Sequence, residues 1–359
     1  MKRANGHYRG KTSLLAAVRF IIEFACFAMI LSPSVFFPHH IYRQFYTINK
    51  KLIMLLSLSR SKVQLFLLLF PFFVLSCQKG DAGKVYRYNG KMNVDGRTRT
   101  YILNLPPNYY DTSGIPLVIA LHGFGGSASQ CEADYGITDK ANHANFIVVY
   151  PDGVNGPAGL GSWNTGTCCP VAQTQNVDDV HFISALIDQL VDNYKVDPKR
   201  VYVAGMSNGA MMAYTLACDL SYKIAAITSV SGTLMRTSPC QPSREVPILH
   251  IHSALDTKVP YAGGTGIANH YFTPVDSTMG IWTVLDSCDT PPLVIENTGY
   301  TVTEWKDRNG KVAIDLYLTQ DGGHSWPGGL KPREKADPPS TALNATDLLW
   351  DFFQHYSLP

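Results

Sequence analysis

The sequence lacks the charge pattern and the long apolar run that would point to nucleic acid or to a membrane span. Residues 1–76 carry ten of the 30 Lys and Arg and one of the 28 Asp and Glu, so the rest of the chain has a net charge of −7. A mildly acidic body without a basic stripe argues against nucleic acid as a partner. The longest apolar run, residues 63–75, is short for a transmembrane helix.

Metal and dinucleotide signatures are also missing. No CxxC pair or comparable ligand spacing occurs, so the sequence gives no support for a metal site. The glycine-rich stretch at residues 123–126 lacks the G-x-G-x-x-G spacing of a dinucleotide loop. From about residue 84 onward there is no repeat and no low-complexity linker, which favours one domain over residues 84–359.

The N-terminal 76 residues have the composition of a targeting segment. A short basic stretch at residues 54–62 precedes the apolar run at 63–75, and the sequence Val-Leu-Ser-Cys follows, ending at Cys77. This order resembles the lipobox of bacterial lipoproteins, in which the cysteine receives lipid and becomes the mature N-terminus. We therefore expect an exported protein anchored to the membrane by lipid on Cys77, with residues 77–83 as a flexible tether.

Two points about this segment stay open in the sequence. Ordinary signal-peptide cleavage nearby, with Cys77 incidental, is the alternative to lipidation. Residues 1–53 are either an over-extended gene start, with Met54 as the true one, or part of an unusual export segment.

The body holds six cysteines, and an even count in an exported domain favours disulfides. Cys240 precedes a predicted strand and Cys288 follows the next helix, so we expect these two to pair. We also expect Cys218 to pair with one of the adjacent Cys168 and Cys169, and the other of those with Cys131.

Strand-like and helix-like segments alternate along the body. Short apolar, β-branched segments indicate buried parallel strands, and segments with 3.6-residue periodicity indicate helices. This alternation predicts an α/β fold, with a mostly parallel central sheet and helices on both faces. The predicted strands cover residues 98–105, 116–121, 146–150, 200–204, 225–230, 246–252, 300–305 and 312–318, and the predicted helices cover 180–194, 208–220, 275–285 and 345–355.

The strongest local signal is Gly-Met-Ser-Asn-Gly at residues 205–209, between a predicted strand and a predicted helix. The G-x-S-x-G pattern in this context is a nucleophile elbow. The turn is so tight that the serine is strained, and the two glycines avoid Cβ clashes. We therefore predict Ser207 as a nucleophile at a helix N-terminus, where N–H groups face a developing anion.

A second glycine-rich turn, Leu-His-Gly-Phe-Gly-Gly at residues 121–126, directly follows a predicted buried strand. Two backbone N–H groups near a nucleophile hold the oxyanion of a tetrahedral intermediate. We predict that Phe124 and Asn208 supply them. The alternative is a plain strand-to-loop turn.

A serine nucleophile needs a base and an acid that orients the base, and in this fold the chain order is serine, acid, histidine. Asp256 follows the predicted strand 246–252, at the carboxyl end where active sites of open α/β sheets lie. His324 follows the strand 312–318 between two glycine pairs. We predict Asp256 as the acid and His324 as the base. Asp321, on the loop of His324, is the rival acid that we expect to cap a turn.

Other histidines and aspartates fit structural roles better. His250 and His252 alternate on a strand and are expected to be satisfied core residues, since no third zinc ligand accompanies them. His122 is expected to brace the oxyanion loop. Asp178 and Asp179 precede Ser207 and fit helix capping.

Seven short motifs occur in order along the chain: LHGFGG (121–126), SWN (162–164), CC (168–169), NVDDVHFI (176–183), GMSNGAMMAY (205–214), HIHSALDTKVPYAGG (250–264) and GGHSWPGG (322–329). With these motifs the chain resembles a known family, the exported esterases of the polyhydroxybutyrate depolymerase and feruloyl esterase types within the α/β-hydrolase superfamily. The resemblance implies the α/β-hydrolase fold, the same triad of Ser207, Asp256 and His324, and neither a metal nor an organic cofactor. It leaves the substrate open between aliphatic polyesters, ferulate esters and acetyl esters.

The substrate prediction rests on aromatic residues expected at the rim of the site. Trp163, Tyr261 and Trp326 all lie on loops after predicted strands, and such rings suit a phenolic acyl group or a sugar face. Packing within the loops is the alternative for the two tryptophans. We expect feruloyl or acetyl esters of plant polysaccharide as substrate. Polyhydroxybutyrate hydrolysis and acyl transfer by the same triad remain alternatives.

Overall fold

The central sheet of the computed structural model, which describes residues 84–156 and 159–359, explains where the chain's apolar segments go. The strands are β1 Arg87–Val94, β2 Arg97–Asn104, β3 Ile115–Leu121, β4 Ile147–Pro151, β5 Val154–Asn155, β6 Gly161–Ser162, β7 Val196–Met206, β8 Ala226–Val230, β9 Ile248–Ser253, β10 Gly264–Thr265, β11 Tyr271–Phe272, β12 Leu293–Asn297, β13 Tyr300–Lys306 and β14 Val312–Thr319.

The central sheet has ten strands in the order β1-β2-β4-β3-β7-β8-β9-β14-β13-β12. The six strands in the middle of this order, from β4 to β14, are parallel, and two antiparallel strands extend the sheet on each side.

The helices cover both faces of this sheet, which separates two large apolar clusters. One cluster packs the fourth, fifth and sixth helices against the sheet, and the other packs the first, second and seventh. Four of the six parallel strands, β3, β4, β8 and β9, are buried along their whole length, as their short apolar runs predict. The helices are α1 Ala128–Asp134, α2 Ile137–Ala144, α3 Pro170–Thr174, α4 Asp179–Asn193, α5 Asn208–Asp219, α6 Val275–Leu285 and α7 Ala345–Phe353.

The predicted fold class is confirmed, with twelve predicted elements found within a few residues of their expected bounds. The strands β1 and β12, the helices α1, α2 and α3 and the four two-residue strands were not predicted. The strands β1 and β12 are outer strands with mostly exposed or half-buried side chains, so they lack the apolar runs that mark the central ones. No helix in the described part of the chain is long and apolar enough to span a membrane. Cys77 and the whole predicted export segment lie outside the described residues.

The predicted disulfides are wrong in their pairing. Cys218 bonds to Cys240, and Cys168 bonds to its neighbour Cys169. Cys218 lies near the end of α5, about 16 Å along the helix axis from Ser207, whereas Cys168 packs in a cluster with Met211 near the start of that helix.

The chain after β8 passes instead over that end of α5, where Arg236 forms an ion pair with Asp219 at 2.7 Å and brings Cys240 close. Cys131 is free and buried on α1, with its sulfur against the carbonyl of Ala120. Cys288 is free and half-buried.

Candidate active site

The nucleophile elbow has the strained geometry expected from the sequence. Ser207 joins β7 to α5 with φ 55° and ψ −119°, a positive φ that non-glycine residues rarely adopt. A Cβ on Gly205 would lie 2.2 Å from the carbonyl oxygen of Gly209, and one on Gly209 would lie 2.4 Å from that of Leu121. Both positions therefore require glycine. The backbone N–H of Ser207 donates to Val230 at the end of β8, which fixes the elbow to the sheet.

The structure brings Ser207, His324 and Asp256 into one hydrogen-bonded line. His324 Nε2 lies 2.8 Å from Ser207 Oγ, and its Nδ1 lies 2.7 Å from Asp256 Oδ2. The three residues follow β7, β14 and β9, which are parallel, so they meet at the same edge of the sheet. A carboxylate only accepts, so Nδ1 carries the imidazole proton, and Nε2 is left to accept from the serine hydroxyl.

Asp256 is buried but well supplied with donors. Its Oδ1 accepts from the backbone N–H groups of Lys258 and Val259, at 2.8 and 2.9 Å. Burial opposes ionisation of this carboxyl, yet the hydrogen bond and charge of His324, with the other donors, hold its pKa below the usual value. The Asp256 carboxylate is thus an anion that orients the His324 ring.

The rival Asp321 does not reach the base. Its carboxylate accepts from the hydroxyl of Ser340 and from the N–H and hydroxyl of Thr341. It therefore ties its own turn to the 340–341 loop. The backbone N–H of His324 is held instead by Asp337, 3.0 Å away, a contact that no spacing in the sequence signals.

The glycine-rich loop at residues 121–126 lies directly against Ser207. A Cβ on Gly123 would be 3.4 Å from Ser207 Cβ, so the next residue, Phe124, has its backbone beside the serine. Among the described residues, the N–H groups of Phe124 and Asn208 have no hydrogen-bond partner. Both are thus free to hold an anion, which is what an oxyanion hole requires.

His122 determines the direction of that loop. The backbone N–H of Gly153 donates to His122 Nε2 at 2.9 Å, so the ring proton is on Nδ1, which donates to the carbonyl of Gly123 at 2.8 Å. In a trans peptide the C=O and the following N–H point in opposite directions. Fixing the Gly123 carbonyl toward His122 therefore turns the N–H of Phe124 away from the ring.

The predicted aromatic rim is corrected by the burial of its two tryptophans. Trp163 is 0% exposed; its indole N–H donates to the carbonyl of His122, and its backbone forms two hydrogen bonds with the Asn208 side chain. Trp326 is 2% exposed, stacks on Tyr135 and donates to Thr346. Both rings brace loops, since their indole N–H groups find partners only in the interior.

Tyr261 remains half-buried, and its hydroxyl donates to Asp276. The exposed apolar side chains next to the oxyanion loop are Phe124 (37% exposed) and Leu160 (38%). A Cβ on Gly125 would be 3.4 Å from Leu160 Cδ2, so these two side chains border the same loop. Leu160 was missed because it lies in a glycine-rich loop with no pattern of its own.

A buried ion pair under the site was also missed. Asp178 caps α4 as expected, but Asp179 is buried and pairs with Arg99 at 2.7 Å. Its second oxygen accepts from the N–H of Asn164, which fixes the Trp163 loop. Removing one partner of such a pair typically costs about 3–5 kcal/mol, because the other charge stays buried.

The described residues were also compared with the ligand sets that hold metal ions in proteins. Within residues 84–156 and 159–359, no three His, Cys, Asp or Glu side chains come together as metal ligands. His250 and His252 are buried and hydrogen-bond each other, and His250 also hydrogen-bonds the Tyr214 hydroxyl.

Comparison with known proteins places these observations in a family. Residues 112–278 match the phospholipase/carboxylesterase family. The chain is 30% identical to feruloyl esterase C of Emericella nidulans over 273 residues, which cover 74% of this chain and 86% of that protein. It is also 30% identical to feruloyl esterase B of Piromyces equi over 270 residues, 73% of this chain but only 46% of that longer protein.

Among solved structures, an acetyl xylan esterase from Aspergillus awamori is similar in fold. It has a TM-score of 0.53 at 18% identity and covers 75% of this chain and 100% of that one.

Proposed function

Since the chain belongs to the carboxylic-ester hydrolases of the phospholipase/carboxylesterase family, within the α/β-hydrolase superfamily, we propose that it cleaves feruloyl esters of plant polysaccharide through an acyl-enzyme on Ser207. Acetyl esters on the same polymers are the nearest related substrates. The observation that carries the proposal is His324, which hydrogen-bonds Ser207 on one side and Asp256 on the other. The names of the two feruloyl esterase relatives support the acyl group.

The reaction follows from the hydrogen bonds. As Ser207 Oγ attacks the ester carbonyl, its proton passes to His324 Nε2, and the resulting imidazolium is stabilised by Asp256. The N–H groups of Phe124 and Asn208 stabilise the oxyanion. The imidazolium then protonates the leaving alcohol oxygen, and the C–O bond breaks to leave the acyl-enzyme. Water attacks that ester with His324 as base, which releases the acid and restores the serine.

The surface beside the oxyanion loop supports an aromatic acyl group. Phe124 and Leu160 offer exposed apolar area at the 123–126 turn, where a flat phenolic ring has a surface to pack on. Trp163 and Trp326 contribute by holding the loops in place. Tyr261 follows the Asp256 loop and has its hydroxyl occupied by Asp276, so it offers only its ring.

The test is a panel of substrates with the purified protein: methyl ferulate, acetylated xylan and short-chain polyhydroxybutyrate, each also with added alcohol. We expect release of ferulate to have the highest kcat/KM and to be lost in Ser207→Ala. Preference for polyhydroxybutyrate, or transfer to the alcohol exceeding hydrolysis, would replace the proposed substrate or reaction. Ferulate release by Ser207→Ala within tenfold of the parent would remove the nucleophile assignment.

Export and lipid anchoring through Cys77 are the second part of the proposal. The Cys218–Cys240 disulfide supports it, because such bonds persist in oxidising compartments. In a bacterial host, we expect metabolic labelling with a fatty acid to mark the full chain and not Cys77→Ser. Equal labelling of both, or of neither, would contradict the lipid anchor.

A further inference from the structure

A line of buried polar side chains runs from Asp256 to α5. Tyr214 OH lies 2.7 Å from His250 Nδ1, and His250 Nε2 lies 3.1 Å from His252 Nδ1. His252 Nε2 lies 2.8 Å from the carbonyl of Val259 and 3.5 Å from Asp256 Oδ2. Tyr214 is on α5, the helix that Ser207 opens, and both histidines are on β9. The line therefore connects the nucleophile helix to the loop of the acid.

The direction of each hydrogen bond follows from the last acceptor. The Val259 carbonyl only accepts, so His252 Nε2 carries a proton. Burial lowers the pKa of both His252 and His250, which keeps them neutral with one N–H each. His252 Nδ1 therefore accepts from His250 Nε2, and His250 Nδ1 accepts from the Tyr214 hydroxyl. Burial raises the pKa of Tyr214, so that hydroxyl keeps its proton.

We infer that His252 is a positioning residue for Asp256, held in its Nε2–H tautomer by the Val259 carbonyl at one end of the line and by donation from Tyr214 through His250 at the other. The inference rests on the proposed role of Asp256 in orienting His324. Val259 is tied at both ends, since its N–H donates to Asp256 Oδ1 and its carbonyl accepts from His252. The 256–259 loop is thus closed around the carboxylate that faces His324.

The opposite tautomer would disturb this arrangement. It would present a lone pair of His252 Nε2 to two oxygens, the Val259 carbonyl and Asp256 Oδ2. The loop would then lose its bond to β9, and the carboxylate would no longer be held toward His324. Small misplacements of catalytic groups lower turnover strongly.

The first test compares two tyrosines that differ only in this connection. Tyr214→Phe leaves His250 Nδ1 without a donor, so that only the Val259 carbonyl still favours this pair of tautomers, whereas Tyr202→Phe removes an equally buried hydroxyl that donates to the Tyr356 carbonyl at 2.7 Å. We expect Tyr214→Phe to lower kcat about tenfold with KM unchanged, since Tyr214 does not reach the surface. Tyr202→Phe should keep the parental kcat. Equal kcat values for the two variants would overturn the inference.

A second test uses substitutions at His252 itself. Glutamine does not reproduce the Nδ1 acceptor of the ring, but its amide N–H can replace the Nε2–H donor to the Val259 carbonyl, so His252→Gln should retain kcat within about threefold. His252→Leu removes both groups and should lose at least tenfold. An equal loss in both variants would indicate packing alone and overturn the inference.

The tautomers are also measurable without any substitution. ¹⁵N NMR of the imidazoles should show His252 protonated at Nε2 and bare at Nδ1 in the parent, and a changed pattern in Tyr214→Phe. A bare Nε2 in the parent would overturn the inference. The Ser207→Ala variant separates this failure from that of the proposed function, because its activity does not depend on the tautomer of His252.

Discussion

Two buried aspartates, one near each end of β9, differ in how many hydrogen bonds their carboxyl groups accept. Asp256 follows the carboxyl end of the strand, and Asp286 contacts Val246 just before its amino end. Both carboxyls are buried. Asp256 has both oxygens hydrogen-bonded, while Asp286 accepts only from the Val246 N–H at 2.9 Å and its Oδ2 has no partner in the described chain.

The pKa values of the two acids move in opposite directions as a result. Burial raises the pKa of Asp286 to about 8, whereas the donors around Asp256 keep its pKa below the usual value. Burial alone therefore neutralises a carboxyl, and a set of N–H donors keeps it ionised. Only an ionised carboxyl stabilises an imidazolium. Asp256 therefore fits the acid of the proposed triad, whereas the neutral Asp286 does not.

The largest expected effect comes from replacing each aspartate by asparagine and measuring ester turnover. Asp256→Asn should cost roughly 10⁴-fold in kcat, because the amide N–H favours the wrong tautomer of His324. Asp286→Asn should leave kcat within a few-fold. A small loss in Asp256→Asn together with a severe loss in Asp321→Asn would move the acid role to Asp321.

The same two positions differ in how stability depends on pH. Between pH 4 and 8 the folded chain holds a proton on Asp286 that the unfolded chain has released, so this group lowers stability as pH rises, by up to about 1.4 kcal/mol per pH unit. Denaturant titrations should show a smaller decline in Asp286→Asn. The exposed Asp289→Asn is the matched control and should follow the parent. Parallel curves for all three proteins would contradict the raised pKa.

The two disulfides should differ in how much each one stabilises the fold. Opening Cys218–Cys240 by double serine substitution should cost about 3 kcal/mol, because this bond closes a loop across 22 positions. Cys168–Cys169 joins neighbours and closes no such loop, so its loss should change stability far less. Thermal unfolding with the two double variants checks the order, and the reverse order would contradict it.

The smallest effect is expected at the rim of the site. Phe124→Ala should raise KM for methyl ferulate by about tenfold, since an exposed apolar contact contributes about 1–2 kcal/mol, and should leave KM for an acetyl ester nearly unchanged. Val284→Ala, far more exposed and on α6, is the control. Equal changes for both esters would show that Phe124 does not contact the acyl ring.

Much of the catalytic end was predictable because its signals are local. The elbow, the oxyanion turn and the loops of Asp256 and His324 each directly follow a buried strand, and parallel strands bring their carboxyl ends together. The steric need for glycine at residues 205 and 209 also follows from the turn itself.

The rest depends on contacts between distant parts of the chain. The Cys218–Cys240 pairing depends on the path of the segment after β8, and the Arg99–Asp179 pair joins residues 80 positions apart. Sequence position put Trp163 and Trp326 at the rim, but the direction of a side chain on a loop is set by packing. Hydrogen-bond partners inside the protein turned both rings inward.

The central claim is that Ser207 carries the acyl group, and a trapped intermediate tests it most directly. The protein is mixed with a nitrophenyl ester, quenched in acid within the first turnover, digested and analysed by mass spectrometry. We expect the acyl mass on the peptide containing Ser207 in the parent protein and none in Ser207→Ala. An acyl mass on any other residue, or the same adduct in Ser207→Ala, would contradict it.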